Sequence, residues 1–172
     1  MIYDTLCLSG GGILGLAFIG ALEYLEKVNK IKMCNINTYF GTSAGAITAF
    51  LFSLNYTIND IKDFIINFNF KILVPELDID LLFNNNGIDN AEKLTLIFKH
   101  FLKNKYQVDD MTFYEHHKLT KKKLNIIGCN YTLSQEEIFN YINTPDMSII
   151  LAVRISMSVP LFFTPVLYNN YY

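Results

Sequence analysis

Ser43 lies at the centre of Gly41-Thr42-Ser43-Ala44-Gly45, and a Gly10-Gly11-Gly12 run stands upstream of it. The pentapeptide fits G-x-S-x-G, the pattern that exposes a serine hydroxyl on a sharp strand-to-helix turn. Glycines at both ends of it let a strand and a helix approach closely around a nucleophile whose neighbours are buried. A hydroxyl is a poor nucleophile until a base takes its proton. The glycine run supplies bare backbone N–H groups at a helix start, where negative charge is held. The chemistry that needs both is acyl transfer to serine. Gly10, Gly11, Gly12 and Ile13 would form the oxyanion hole, and the N–H of Ala44 would open a helix whose dipole favours negative charge nearby. Loss of one oxyanion donor typically costs about 10²–10³ in rate.

Other readings compete. The pentapeptide is also what a glycine-rich packing turn would look like. Gly10 to Gly15 satisfies G-x-G-x-x-G between a strand and a helix, the dinucleotide-binding pattern. That pattern expects an acidic residue about twenty positions on, to bind the ribose. The region Lys32 to Thr38 offers Asn35 and Asn37 but no carboxylate. The nucleotide reading also leaves Ser43 without a role, so the oxyanion hole is preferred and no cofactor is expected. Asp109 or Asp110 with His116 or His117 would follow the Ser…Asp…His order of an α/β-hydrolase. Their polar, Lys-rich surroundings read instead as solvated surface. His100 reads as surface or packing, and Asp146 as a first-turn helix residue. No His, Cys and acidic residues share metal-ligand spacing, so no metal is expected.

The elements that must position these groups follow from periodicity. Ile2 to Leu8 reads as a short buried strand ending at the glycines, and Ile13 to Asn29 as a helix. Ile36 to Phe40 is a second strand, and Ala44 to Leu54 an almost wholly apolar helix. Thr57 and Asp60 fit a capping box opening a helix through Phe70. Residues 76–89 read as a loop or short helix that ends in a turn at Asn84-Asn85-Asn86-Gly87. Asp89 and Glu92 fit a second capping box, for a helix to about Asn104. Leu124 to Tyr131 is a strand, with Ile138 to Ile142 as its hairpin partner. Thr144-Pro145 should open a helix running to about Ser158.

Composition narrows the class. In 172 residues, 51% are hydrophobic and 17% charged, with a net charge of −2. One domain with a real core is expected, and no nucleic-acid partner. The Lys-bearing stretches Lys99 to Lys105 and Lys118 to Lys123 read as a solvated helix face and loop, with contact to anionic lipid headgroups as the alternative. Cys7, Cys34 and Cys129 are widely spaced among apolar residues and read as buried thiols in a reducing compartment. The uncharged stretch Met33 to Asn59 is broken by polar residues and reads as strand-turn-helix rather than a membrane span. The N-terminus has no basic segment of the signal-peptide type.

Three blocks in order resemble a patatin-like phospholipase domain over essentially the whole chain. They are Ser9-Gly10-Gly11-Gly12-Ile13-Leu14-Gly15, then Gly41-Thr42-Ser43-Ala44-Gly45, then Ala152-Val153-Arg154-Ile155-Ser156-Met157-Ser158-Val159-Pro160 with Phe163 and Pro165. The resemblance implies a three-layer α/β/α sandwich around a mostly parallel sheet. It implies a Ser–Asp dyad in which Ser43 attacks the acyl carbonyl, the glycine loop holds the oxyanion, and water releases the fatty acid. The base would belong to an Asp-Gly-Gly or Asp-Gly-Ala block. No Asp-Gly dipeptide occurs in the chain, and the block is expected shortly beyond Tyr172, so residues 1–172 read as a single domain incomplete at its C-terminal side. Leu14 stands where the family usually has Lys or Arg. The implied substrate is a lipid or phospholipid, met in the cytoplasm with peripheral membrane contact; oligomeric state is not indicated. The alternative is a catalytically impaired lipid-binding domain.

Overall fold

The computed structural model describes residues 2–74, 82, 84 and 86–172. Four strands form the main sheet in the order β1-β2-β4-β5. They are β1 (Thr5–Leu8), β2 (Thr38–Gly41), β4 (Lys123–Asn130) and β5 (Gln135–Phe139). β1, β2 and β4 run parallel in a register that aligns Leu8, Gly41 and Ile126, and β5 returns antiparallel to β4. A parallel pair needs a crossover. Between β1 and β2 it is a 3₁₀ turn (Gly12–Leu16) and helix α1 (Ala17–Lys27). Between β2 and β4 run α2 (Ala44–Ser53), α3 (Ile58–Asn67), the short strand β3 (Gly87–Asp89), α4 (Glu92–Tyr106) and α5 (Phe113–Thr120). Helix α6 (Ile149–Ser156) leads into β6 (Leu161–Phe163), which pairs parallel with β3 in a separate two-stranded sheet. The glycine run leaves β1 and the Ser43 turn leaves β2, so both sit at the carboxyl edge of the sheet, where open α/β sheets hold ligands.

Successive strand side chains point to opposite faces. Leu124, Asn125 and Ile126 are all buried, so β4 is covered on both sides. The result is an α/β fold with helices flanking a mostly parallel sheet. The uncharged α2 is buried along nearly its whole length. Its polar side chains turn back on the helix, Thr48 Oγ1 donating to Ala44 O (3.1 Å) and Ser53 Oγ to Phe50 O (2.8 Å). Asn125 Nδ2 donates to Tyr39 O (3.1 Å) and Asn140 Nδ2 to Asn125 Oδ1 (3.1 Å), tying the β4–β5 hairpin to β2.

Several sequence expectations change. Among the described residues β1 pairs only with β2, so it is an edge strand there, and it is largely exposed, not buried. Cys7, Cys34 and Cys129 are exposed rather than buried. The hairpin partner ends at Phe139, because Asn140 Oδ1 accepts from the N–H groups of Ile142 and Asn143 and turns the chain. The last helix opens at Ser148, whose Oγ accepts from Leu151 N–H (3.0 Å), not at Thr144. Thr144 and Asp146 belong to a turn that Met147 N–H closes on Thr144 O (3.1 Å). Asp89 lies in β3 and its Oδ1 accepts from Ala91 N–H (2.6 Å), so the box expected with Glu92 is absent there. The reading of 76–89 as a loop or short helix falls mostly on residues 76–81, 83 and 85, outside the described residues.

Candidate active site

Ser43 joins β2 to α2 with φ 53° and ψ −119°. That conformation costs a non-glycine residue about 1–3 kcal/mol and persists only where surroundings impose it. Here the glycines do. A Cβ at Gly41 would sit 2.6 Å from Ala46 Cα and against Gly45 O, while one at Gly45 would sit 2.6 Å from Ser9 O and against Leu8 O. The start of α2 therefore rests directly on the end of β1. Thr42 N–H donates to Leu8 O (3.2 Å) and fixes the same approach. Gly45→Ala is expected to destabilise the fold by about 1–3 kcal/mol, because backbone rather than a movable side chain must yield. A urea titration showing no loss would mean that α2 can back away from β1.

The glycine loop runs beside this turn. A Cβ at Gly10 would stand 3.6 Å from Ser43 Cβ, and one at Gly15 would stand 2.5 Å from Ala44 Cβ. Gly12 takes φ +52°, the left-handed region. Leu14 N–H closes the first 3₁₀ bond on Gly11 O (3.0 Å). The N–H groups of Gly11, Gly12 and Ile13 come before that bond and need partners from outside the turn. Gly10 to Ile13 and Ser43 itself keep solvent access.

The internal bases are elsewhere. His116 is buried at 1% exposure, which corrects its reading as solvated surface. Its Nε2 meets Ser53 Oγ (3.0 Å) and Ser53 O (3.3 Å), at the far end of α2. Ten helical residues at 1.5 Å each put that end about 15 Å from Ser43, against the ~3 Å that proton transfer needs. His117 Nδ1 lies 2.9 Å from Lys122 O, and its ring stacks on Tyr141. Asp109 pairs with Lys103 (3.2 Å), and Asp110 accepts from Ser148 Oγ (2.5 Å) and Met111 N–H (2.8 Å). His100 is exposed beside Asn104. Among the described residues, no three His, Cys, Asp or Glu side chains come together as metal ligands.

A nucleophile-type turn against a glycine loop, on a sheet of this order, has a counterpart among known families. The family model for patatin-like phospholipases matches residues 6–172. The chain belongs to that family. It is 35% identical over 176 residues to a probable lipid hydrolase, 463L, of Invertebrate iridescent virus 6, covering 98% of this chain and 57% of that protein. It is 32% identical over 168 residues to the uncharacterised protein R571 of Acanthamoeba polyphaga mimivirus, covering 96% and 55%. The patatin-like chain thus spans little more than half the length of these curated relatives. Among solved structures, VipD from Legionella pneumophila superposes with a TM-score of 0.77 at 18% identity, over 99% of this chain and 45% of that one. ExoU from Pseudomonas aeruginosa, in complex with SpcU, gives 0.69 at 23% identity, over 91% and 38%. At such identities these two speak for the fold alone.

Two residues of the third block make long-range contacts in this patatin-like chain. Ser156, at the end of α6, accepts a hydrogen bond from Ser43 N–H (2.9 Å) and donates one to Ile127 O (2.6 Å). Arg154 is buried, and desolvation pulls its pKa below the usual value. Its guanidinium donates to Thr164 O (2.7 Å), Thr164 Oγ1 (3.2 Å), Asn90 O (3.4 Å) and Ser158 Oγ, tying α6 to the β3–β6 pair. The block's place in the sequence marked both residues, but nothing local to them gave the partners.

Proposed function

We propose that the chain carries the nucleophile and oxyanion hole of a serine acyl hydrolase that releases fatty acid from a glycerolipid. The observation that carries this is the constrained Ser43 turn lying against the Gly10–Gly12 loop. Ser43 Oγ attacks the ester carbonyl carbon and loses its proton to a carboxylate base. The N–H groups of Gly11, Gly12 and Ile13, with Gly10 shaping the loop, hold the negative oxygen of the tetrahedral intermediate. The alcohol leaves with the proton, and water then hydrolyses the acyl-enzyme by the same steps. Thr42, Ala44 and Gly15 set the turn and its contact with the loop. The base in this proposal is the aspartate of an Asp-Gly block, carried by a longer form of this protein whose single patatin-like domain includes residues 1–172.

The lipid character of the substrate is supported by the surface around Ser43. Ile13 and Leu14, at the glycine loop, are 65% and 78% exposed. Apolar side chains left this open flank a site that meets an apolar partner. The contact proposed is peripheral, through these exposed side chains; no helix of the described residues is long and apolar enough to cross a membrane. Burying one such side chain is worth about 1.5–3 kcal/mol. Leu14→Asp is therefore expected to lose at least tenfold more activity on phospholipid vesicles than on a soluble short-chain ester. Equal losses would detach this surface from substrate capture.

A second reading, a lipid-binding domain without turnover, is favoured by one observation. Among the described residues no carboxylate or imidazole bonds Ser43 Oγ; the candidate bases have the other partners described above. A fluorophosphonate probe decides between them on the longer protein. Modification of Ser43, located by peptide mass spectrometry and accompanied by fatty-acid release, supports the hydrolase. Liposome binding with no label on Ser43 supports the second reading.

A further inference from the structure

The N–H of Ser43 is not left to water. It points across the sheet edge to Ser156 Oγ at 2.9 Å, and the same oxygen lies 2.6 Å from Ile127 O. A hydroxyl has one proton. A carbonyl can only accept, so that proton goes to Ile127 O, and Ser156 Oγ faces Ser43 as an acceptor. Three elements thereby meet at one atom: the turn between β2 and α2, the C-terminal half of β4, and the last residue of α6. The two serines are 113 residues apart in sequence.

We propose that Ser156 is a positioning residue for the nucleophile. The inference rests on the reading of Ser43 as that nucleophile. Ser43 holds φ 53°, and a serine released from such a turn relaxes towards negative φ by rotating the Thr42–Ser43 peptide. Once the peptide has turned, φ no longer fixes where Cβ, and with it Oγ, stands relative to the glycine loop beside Gly10. The bond from Ser43 N–H to Ser156 opposes the rotation at the amide that would move first. Gly41 and Gly45 make the turn sterically possible, and Ser156 selects this arrangement of it. Because its own proton is given to Ile127, Ser156 cannot take the proton of Ser43 Oγ and has no part in the bond-making steps. Its effect is on how often the hydroxyl faces the loop, which governs kcat rather than substrate affinity.

The test uses the full-length protein with Ser156→Ala and Ser156→Thr. Ser156→Ala is expected to lower kcat on a soluble ester, and the rate of fluorophosphonate labelling at Ser43, at least tenfold with KM within twofold. Ser156→Thr, which restores the acceptor, should recover both to within about threefold. Independently of activity, the backbone amide of Ser43 should exchange with solvent at least tenfold faster in Ser156→Ala, read by NMR. If Ser156→Ala does not fold, Ser156→Cys, a much weaker acceptor of similar shape, takes its place with the same expectations. Unchanged amide exchange with unchanged kcat overturns the proposal, as does a kcat loss that follows the folded fraction and is not recovered by threonine. If the unaltered protein neither labels nor turns over, the hydrolase reading fails. Amide exchange alone then decides whether Ser156 holds the turn.

Discussion

Ser43→Ala is expected to lower ester hydrolysis by about 10⁴-fold or more in protein that carries the Asp-Gly block, while leaving stability nearly unchanged. The size follows from the role. Without the hydroxyl the proposed acyl-enzyme cannot form, and what remains is catalysis by the proposed oxyanion hole and substrate binding alone. The small stability effect follows from the geometry. Ser43 is half-exposed, its N–H rather than its side chain bonds to Ser156, and alanine has the same backbone preference as serine at φ 53°. Ser43→Gly separates function from strain. Glycine takes positive φ without steric penalty, so this variant should be as inactive as the alanine form yet more stable by about 1 kcal/mol, less the entropy that glycine loses on folding. Measuring kcat/KM and the urea midpoint of both variants checks the pair. Turnover above one per cent in Ser43→Ala would place the nucleophile elsewhere, and a glycine variant less stable than the alanine one would mean that the turn stores no strain. A gain in stability at the cost of all activity is the trade expected where a site holds a conformation the chain alone would not choose.

What the sequence revealed, and what it did not, divides along local and non-local physics. The Ser43 turn was legible because its constraint is local: glycines must stand where backbone passes backbone, and the uncharged run behind them must be buried. Thr57 and Asp60 were legible for the same reason, and both halves of their capping box form, Asp60 N–H to Thr57 Oγ1 and Thr57 N–H to Asp60 Oδ2. The box at Thr112 and Glu115 was equally local and was masked by the lysines that follow; Phe113 and His116, three apart on one face of α5, were the signal for burial. Asp89 looked like a cap because its fate depends on β6, whose residues pair with it from far along the chain. The apolar run of β1 could not tell an edge strand from a central one, since only the pairing decides that, and the exposure of Cys7 follows from it. The link from Ser43 to Ser156 likewise has no local signature.

His116 carries the second large prediction, because burial of an imidazole couples stability to acid. Desolvation in the core lowers its pKa from 6.5 to about 4, and the nearby charges of His117 and Lys122 push it the same way, against a hydrogen bond with Ser53. The unfolded chain binds this proton at the higher value and the folded chain only at the lower one. Between the two the unfolded state holds more protons, so stability rises with pH. This contribution is complete above pH 6.5. It is lost progressively as the pH falls towards 4, and below that it changes no further. A shift of this size corresponds to about 3 kcal/mol, a large share of the 5–15 kcal/mol typical of a domain. Asp60, held below its ordinary carboxylate range by the hydrogen bonds from Thr57, loses its own contribution only at lower pH, so the upper part of the window reports His116. Urea titrations at pH 7, 6 and 5 should show the decline. His116→Gln keeps an N–H donor for Ser53 and has no proton to gain, so it should start from a lower stability at pH 7 and flatten the decline between pH 6.5 and 4.5. An unaltered slope in that variant would assign the acid sensitivity to another group. Because His116 lies at the far end of α2 from Ser43, activity lost on acidification through this group should follow the folded fraction and return when neutral pH is restored.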